Sequence, residues 1–187
     1  MLEAVDSVIA DLVCPRSHAP LLRKDALSLS TVDDSGSYPI CNGVPVVVDF
    51  ESSILDEETT LATAGRSVVG RRRNGGMRDW LRRLVAGSPE ITKRNVASLI
   101  DAVSHADRPR VLVIGGGSVG AGLDALYDHE GIRVVAFDIY ASPNVQVIAD
   151  AHKIPFADGT FDAVVIQAVL EHVLEPGQVV GEIHRVL

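Results

Sequence analysis

The chain has 187 residues, 47% of them hydrophobic and 22% charged, which is the composition of a soluble globular protein of one domain or one and a half. Disorder, a collagen repeat and a disulfide scaffold are excluded; two cysteines, Cys14 and Cys41, point to free thiols in a reducing cytosol and leave room for one disulfide at most. The net charge of -8 is uneven, with -8 over residues 1–58, +7 over 59–110 and -7 over 111–187, so the basic middle block suits either an anionic partner or its own acidic neighbours.

The N-terminus carries Glu3, Asp6 and Asp11 where a secretory signal would be basic, and no stretch approaches membrane-spanning length. A cytoplasmic protein with no membrane role is expected. Leu2, Val5, Val8, Ile9 and Leu12 recur at helical spacing and predict a short amphipathic helix over 2–12. Strands are predicted at 26–29, 37–40 and 45–48, separated by the turn formers Asp33, Asp34, Ser35 and Gly36 and by Asn42-Gly43. Residues 51–76 show little periodicity and end in Arg71-Arg72-Arg73-Asn74-Gly75-Gly76, as a linker would. Trp80, Leu81, Leu84 and Val85 mark a helix over 77–85, and Val96, Leu99, Ile100 and Val103 a second over about 92–105, closed by Pro109.

From Arg110 the pattern is that of a parallel α/β sheet. Val111 to Ile114 is a continuous apolar run, as in a strand buried on both faces. Gly115, Gly116, Gly117, Gly120 and Gly122 follow, then Leu123, Leu126 and Tyr127 open a helix. Residues without a β-carbon let the backbone approach a phosphate or nucleoside. A second strand over 134–137 ends at Asp138, which lies 23 residues after Gly115 and is placed to accept hydrogen bonds from two ribose hydroxyls. A third strand over 145–149 ends at Asp150, and a fourth runs over 163–168. Gly115-x-Gly117-x-x-Gly120 also matches the dinucleotide fingerprint, which keeps an NAD-dependent oxidoreductase as an alternative.

The run ADAHKIPFADGTFDAVVIQAVLEHVLEP decides more. It resembles the class I S-adenosylmethionine-dependent methyltransferases, in particular the subgroup with a D-x-x-x-L/I-P-F-x-D-x-x-F-D signature followed by L-E-H. The matching residues are Asp150, Ile154, Pro155, Phe156, Asp158, Phe161, Asp162, Leu170, Glu171 and His172, and the closing EIHRVL is similar too. The resemblance implies an α/β fold: a Rossmann-like, doubly wound, mostly parallel sheet over 92–187, C-terminally incomplete. Before it lie a basic linker and helix over 51–91 and a small α+β domain over 1–50.

It also implies S-adenosylmethionine as cofactor and a small molecule or saccharide as methyl acceptor. Gly115, Gly117 and Gly120 would sit against the methionine part. Asp138 would bind the ribose hydroxyls, Ile139 would pack on the adenine, and Asp150 would receive the adenine amino group beside the Ala151 backbone. Gln167 would border the methionine and the acceptor pocket. Glu171 and His172 are the candidate catalytic pair, or else a structural pair that fixes their loop. His152 is expected nearer the adenine side, at the surface.

The chain departs from the family in several places. Val113 stands where the family has an acid, and the glycine motif has one extra residue. The connection from Asp138 to Val145 is too short for a crossover helix, so an irregular loop is expected there. On the family's strand order of 3-2-1-4, the stop at Leu187 leaves the fourth strand as an open edge, which predicts a fragment, self-association or another partner at Val164 to Ile166. This keeps a non-catalytic cofactor-binding or interaction module as a second alternative.

Over 8–50, Val13-Cys14-Pro15 and Tyr38-Pro39-Ile40-Cys41-Asn42-Gly43-Val44-Pro45 look like the zinc-ribbon-like domain of the tRNA-methyltransferase activator type. Ser17 replaces a ligand cysteine and Cys14, His18 and Cys41 fall short of a closed site, so no metal is expected. Nucleic acid is not expected as a partner, although the basic segment 66–110 leaves it open.

Overall fold

The computed structural model describes residues 1–64 and 89–187. The helix predicted over 77–85 and the Arg71-Arg72-Arg73 run lie outside the described residues. The elements in chain order are α1 (Val5–Ile9), β1 (Leu21–Arg23), β2 (Ser28–Thr31), β3 (Ser37–Cys41), β4 (Val44–Val47) and α2 (Glu57–Thr63). There follow α3 (Pro89–Val103), β5 (Arg110–Ile114), α4 (Asp124–Tyr127), β6 (Arg133–Asp138), β7 (Val147–Ala149), β8 (Ala163–Ile166) and α5 (Pro176–Val186).

The strands form one sheet in the order β1-β2-β3-β4-β7-β6-β5-β8. The run β7-β6-β5-β8 is parallel and has the expected 3-2-1-4 order, an α/β sheet of Rossmann-like type. Successive residues of β5 and β6 alternate between two cores, which is why both strands read as unbroken apolar runs. Leu112, Ile114, Val135 and Phe137 pack with α1 and α5 residues such as Val8 and Val179. Val111, Val113, Val134 and Ala136 pack with Val96 and Val103 of α3 and Leu126 of α4. The connection from β6 to β7 is irregular, as its length requires. The outer side of β8 has no partner strand among the described residues.

The N-terminal strands β1 to β4 are antiparallel to one another, and β4 then runs parallel to β7. Asn42 and Gly43 both take positive φ, at 50° and 84°, the two-residue turn that matches strand twist and joins β3 to β4. The first half of β4 pairs with β3 through Val44 and Pro45, and the second half with β7, Val46 opposite Ile148 and Val47 opposite Ala149. Pro45 thus falls in the half that β7 does not reach, so its missing N–H interrupts no bond to that strand.

Three elements differ from the pattern reading. The predicted helix over 2–12 keeps only Val5–Ile9, because Leu2 bridges Val134 of β6 and Leu12 bridges Phe156, and both ends are drawn into backbone pairing. The short strand β1 was not predicted; it has only three residues and pairs with β2 alone. In the stretch read as a linker lies α2, capped by Asp56, whose carboxylate accepts the Thr59 N–H at 2.8 Å.

Buried charges join the N-terminal segment to the sheet. Arg110 donates to Glu3 at 2.8 and 3.2 Å and meets Asp11 at 2.7 Å, with its guanidinium 5.2 Å from the centre of the Phe161 ring. Asp49, beyond the end of β4, accepts from Arg16 and from Lys153, each at 2.6 Å, and from Ser52 at 2.6 Å. Burial by itself would raise the Asp49 pKa, but these donors outweigh it and hold the carboxyl at about 2. A folded-state pKa below the ordinary 3.8 means that the stabilisation is complete above about pH 4 and is lost as pH falls toward 2. Asp49→Asn is expected to cost about 2 kcal/mol near neutral pH, with the difference from wild type shrinking on acidification. Urea unfolding of both proteins between pH 2.5 and 7 checks this; a pH-independent difference contradicts it.

Candidate functional site

The carboxyl ends of β5, β6, β7 and β8 point to one edge of the sheet, where open parallel sheets bind ligands. A cavity of about 890 Å³ opens there. Its wall includes Gly115 and Gly120 from the turn after β5, Asp138 and Ile139 from the end of β6, Asp150 and Ala151 after β7, and Gln167 and His172 after β8. Gly117 reaches the site through Asp138, to which its N–H donates at 2.8 Å. Glu171 is exposed and is not part of the wall, so of the candidate catalytic pair only His172 faces the cavity. Val113, near the end of β5, is buried and contributes an apolar patch to the wall.

The glycine turn is tight for identifiable reasons. The N–H groups of Gly115 and Gly116 both donate to the Phe137 carbonyl at 3.0 Å, pinning the turn to β6. A β-carbon on Gly116 would lie 2.6 Å from the Ala136 β-carbon, and one on Gly117 2.6 Å from Asp138 Oδ2. At Gly120 the neighbour is instead the amide end of the Gln167 side chain. Ala168, also on the wall, has φ of 55°, a left-handed backbone that a non-glycine residue adopts only at a cost.

The two acids of the edge are held differently. Asp138 is buried, and its carboxylate takes N–H groups from Gly117 at 2.8 Å and Ile139 at 2.7 Å. Burial dominates over these hydrogen bonds and pushes its pKa up. Asp150 is also buried, but the Ser53 hydroxyl, the His152 N–H and the His152 ring outweigh burial and pull its pKa down. His152 is largely buried rather than at the surface. Its Nδ1 lies 2.7 Å from Asp150 and its Nε2 accepts the Glu175 N–H at 3.3 Å, which makes Nδ1 the protonated nitrogen.

Several motif residues turn out to build the site's supports. Arg185 donates to the carbonyls of Ile154 and Phe156 and to Asp158, while Glu182 accepts from Arg185 and from the Ile154 N–H at 2.8 Å. The EIHR and IPFAD segments therefore brace each other. Phe156 and Phe161 pack edge to face at 5.0 Å, and Asp162 binds the Arg110 backbone N–H at 2.7 Å. Sequence reasoning missed Ser53, which binds Asp150, and Tyr140, which lines the cavity; neither carried a local signal.

Among the described residues no group of three or more His, Cys, Asp or Glu side chains is placed to hold a metal ion. Cys14 is buried with its thiol 3.1 Å from the Tyr38 hydroxyl, and Cys41 is partly buried. No helix among the described residues is long and apolar enough to cross a membrane.

Residues 112–187 match the family model described as a methyltransferase domain. A demethylmenaquinone methyltransferase of Renibacterium salmoninarum is 35% identical over 105 residues, 51% of this chain and 44% of that protein, so the chain spans less than half the length of this relative. Two solved structures are similar at low identity. One, from Methanococcus maripaludis, is assigned as an S-adenosyl-L-methionine-dependent methyltransferase, with 17% identity, coverage of 59% and 57% of the two chains and a TM-score of 0.43. The other is a 1,6-didemethyltoxoflavin-N1-methyltransferase of Burkholderia thailandensis with bound 1,6-didemethyltoxoflavin and S-adenosylhomocysteine, at 16% identity, 89% and 68% coverage and a TM-score of 0.38.

The packing of the glycine turn gives a testable contrast. Gly116→Ala meets the rigid Ala136 on β6 and is expected to lose roughly 1 to 3 kcal/mol of stability, as overpacked sites do. Gly120→Ala meets only the end of a side chain that is free to rotate away, and is expected to unfold near wild type. Denaturant unfolding of the two variants side by side measures the difference.

Proposed function

We propose that this chain binds S-adenosylmethionine at the carboxyl edge of its parallel strands and supports methyl transfer to a small-molecule acceptor. The observation that carries this reading is Asp138: a buried carboxylate at the end of β6, supported only by backbone N–H groups, open to a cavity large enough for a nucleoside and a second ligand. Such a group lacks a strong partner in the free protein and gains one from a ribose diol. The residues fit the cofactor in two further respects. Gly115 and Gly120 line the cavity with backbone that carries no β-carbon, and Asp150 stands across the edge with an apolar neighbour, Ala151. The match over residues 112–187 to a methyltransferase domain supports the same assignment.

When bound, S-adenosylmethionine supplies a methyl group on a sulfonium, a leaving group already activated by its charge. The protein's part is to position and to exclude water. Orientation of two bound reactants is worth on the order of 7 to 11 kcal/mol. Asp138 and Asp150 would hold the nucleoside end and the Gly115 turn the amino acid end, and Gln167, on the wall, would border the methionine and the acceptor.

Much of the remaining wall is apolar, with Ile54 and Leu55 from the loop after β4, Ile91 from α3, and Val169 and Val173 after β8, beside Thr92, Ser118, Tyr140 and His152. Ile54 and Ile91 are 64% and 66% exposed, surfaces that an apolar acceptor would cover better than a saccharide would. The Renibacterium relative is named for demethylmenaquinone, and an acceptor of comparable character suits this wall. Of the candidate catalytic pair His172 lines the cavity, which supports it as the group that takes a proton from the acceptor.

Calorimetric titration with S-adenosylmethionine, S-adenosylhomocysteine and NAD tests the assignment. Binding of the first two without the third is expected, and binding of NAD alone would replace it with a dehydrogenase-type site. Asp138→Ala is expected to weaken S-adenosylhomocysteine binding by about 1.5 to 3 kcal/mol, the range for hydrogen bonds to a charged group.

The ionised Asp138 is the stronger acceptor, and burial raises its pKa. Affinity should therefore hold at neutral pH and begin to fall, on acidification, above the ordinary carboxylate range, while Asp138→Asn shows no such dependence. Titrations between pH 4 and 8 read this difference.

A further inference from the structure

We propose that Ser53, on the loop that follows β4, is a positioning residue of the cofactor site, its hydroxyl holding the Asp150 carboxylate in the rotation that presents a free acceptor position to the adenine amino group. This rests on the reading of Asp150 given above. An ionised carboxylate offers about four acceptor positions. The described contacts fill three of them: Oδ1 takes the His152 N–H at 2.9 Å and the His152 Nδ1 at 2.7 Å, and Oδ2 takes the Ser53 hydroxyl. One position on Oδ2 is left for a ligand.

Both contacts from His152 fall on the same oxygen. The terminal torsion of an aspartate is broad, so bonds to Oδ1 alone leave Oδ2 free to swing. Ser53 supplies the second point of attachment.

The direction of that hydrogen bond is set locally. Ser53 Oγ accepts the Leu55 N–H at 3.2 Å, which turns its single proton toward Asp150. The Ser53 N–H donates to the Asp49 carbonyl at 2.9 Å. Asp49 in turn binds Lys153, three residues beyond Asp150, at 2.6 Å. The loop that carries Ser53 and the turn that carries Asp150 are thereby tied at a second point, and the N-terminal segment supplies part of the nucleoside site.

A double-mutant cycle on the 187-residue chain tests this by calorimetry, with S-adenosylhomocysteine and with its analogue in which hydrogen replaces the adenine amino group. Ser53→Ala is expected to weaken S-adenosylhomocysteine binding about five- to tenfold and to leave binding of the analogue unchanged. Ser53→Thr, which keeps the hydroxyl, should retain wild-type affinity. In an Asp150→Ala background, Ser53→Ala should add no further loss.

Equal losses for both ligands, a loss that persists without Asp150, or a threonine variant as weak as the alanine one would overturn the proposal. If Asp150→Ala weakens S-adenosylhomocysteine binding and Ser53→Ala does not, the role of Ser53 fails while the cofactor reading stands. If Asp150→Ala has no effect, the assignment of Asp150 falls and the role of Ser53 with it.

Discussion

The parallel pairing of β4 with β7 is the constraint on which the rest of the arrangement depends. Strands that run in the same direction leave the sheet at the same edge. Because β4 is parallel to β7, the loop that follows it emerges beside the turn that follows β7, at the carboxyl edge where the cavity lies. An antiparallel junction would have sent that loop to the opposite edge. Asp49 meets Lys153, Ser53 meets Asp150, and Ile54 reaches the cavity wall as a direct consequence of strand direction. Val46 and Val47 are both fully buried, so the junction is also part of the core, and a slip of one residue would turn each side chain to the wrong face.

Buried charge in this protein is handled in three ways, and the differences map onto what each residue does. Arg110, whose side chain is only 7% exposed, is enclosed by Glu3 and Asp11 and pins the N-terminal segment to the start of β5. Asp49 is matched by two cations and a hydroxyl, and its pKa falls accordingly. Asp138 has neither cation nor side-chain donor among its described hydrogen bonds, and its pKa rises. A buried carboxylate held by backbone N–H groups alone beside a cavity is the kind of perturbed group that marks a candidate ligand site.

The motif that resembles the methyltransferases divides in the same way. Asp150 and His172 face the cavity, whereas Phe156, Phe161 and Asp162 serve packing and backbone pairing. Arg185 belongs to the second group, since its donors are spent on Ile154, Phe156, Asp158 and Glu182. A signature of this kind therefore encodes a scaffold as much as a chemistry. The position of Glu171 illustrates the point: it adjoins His172 in sequence, yet only His172 is on the wall.

The sequence by itself determined most of the local elements and some of the residues that converge on the cavity, Asp138, Asp150, Gln167 and His172 among them. Hydrophobic runs and their period are short-range properties, so β5, β6 and β8 were legible within a residue or two, and Asp138 and Asp150 were legible as acids at strand ends. The turn at Asn42-Gly43 was equally plain, because few residues accept two positive φ angles in succession. Where non-local pairing overrode local preference, the pattern misled. Leu2 and Leu12 have helical spacing but bridge distant backbone, and the three residues of β1 are too few to show a period. Only the tertiary structure decided that β4 joins β7, and with it that Ser53 touches Asp150 across 97 positions of chain. No local signal marks such a serine, because its role comes from the direction of the strand before it and the identity of the strand beside that one.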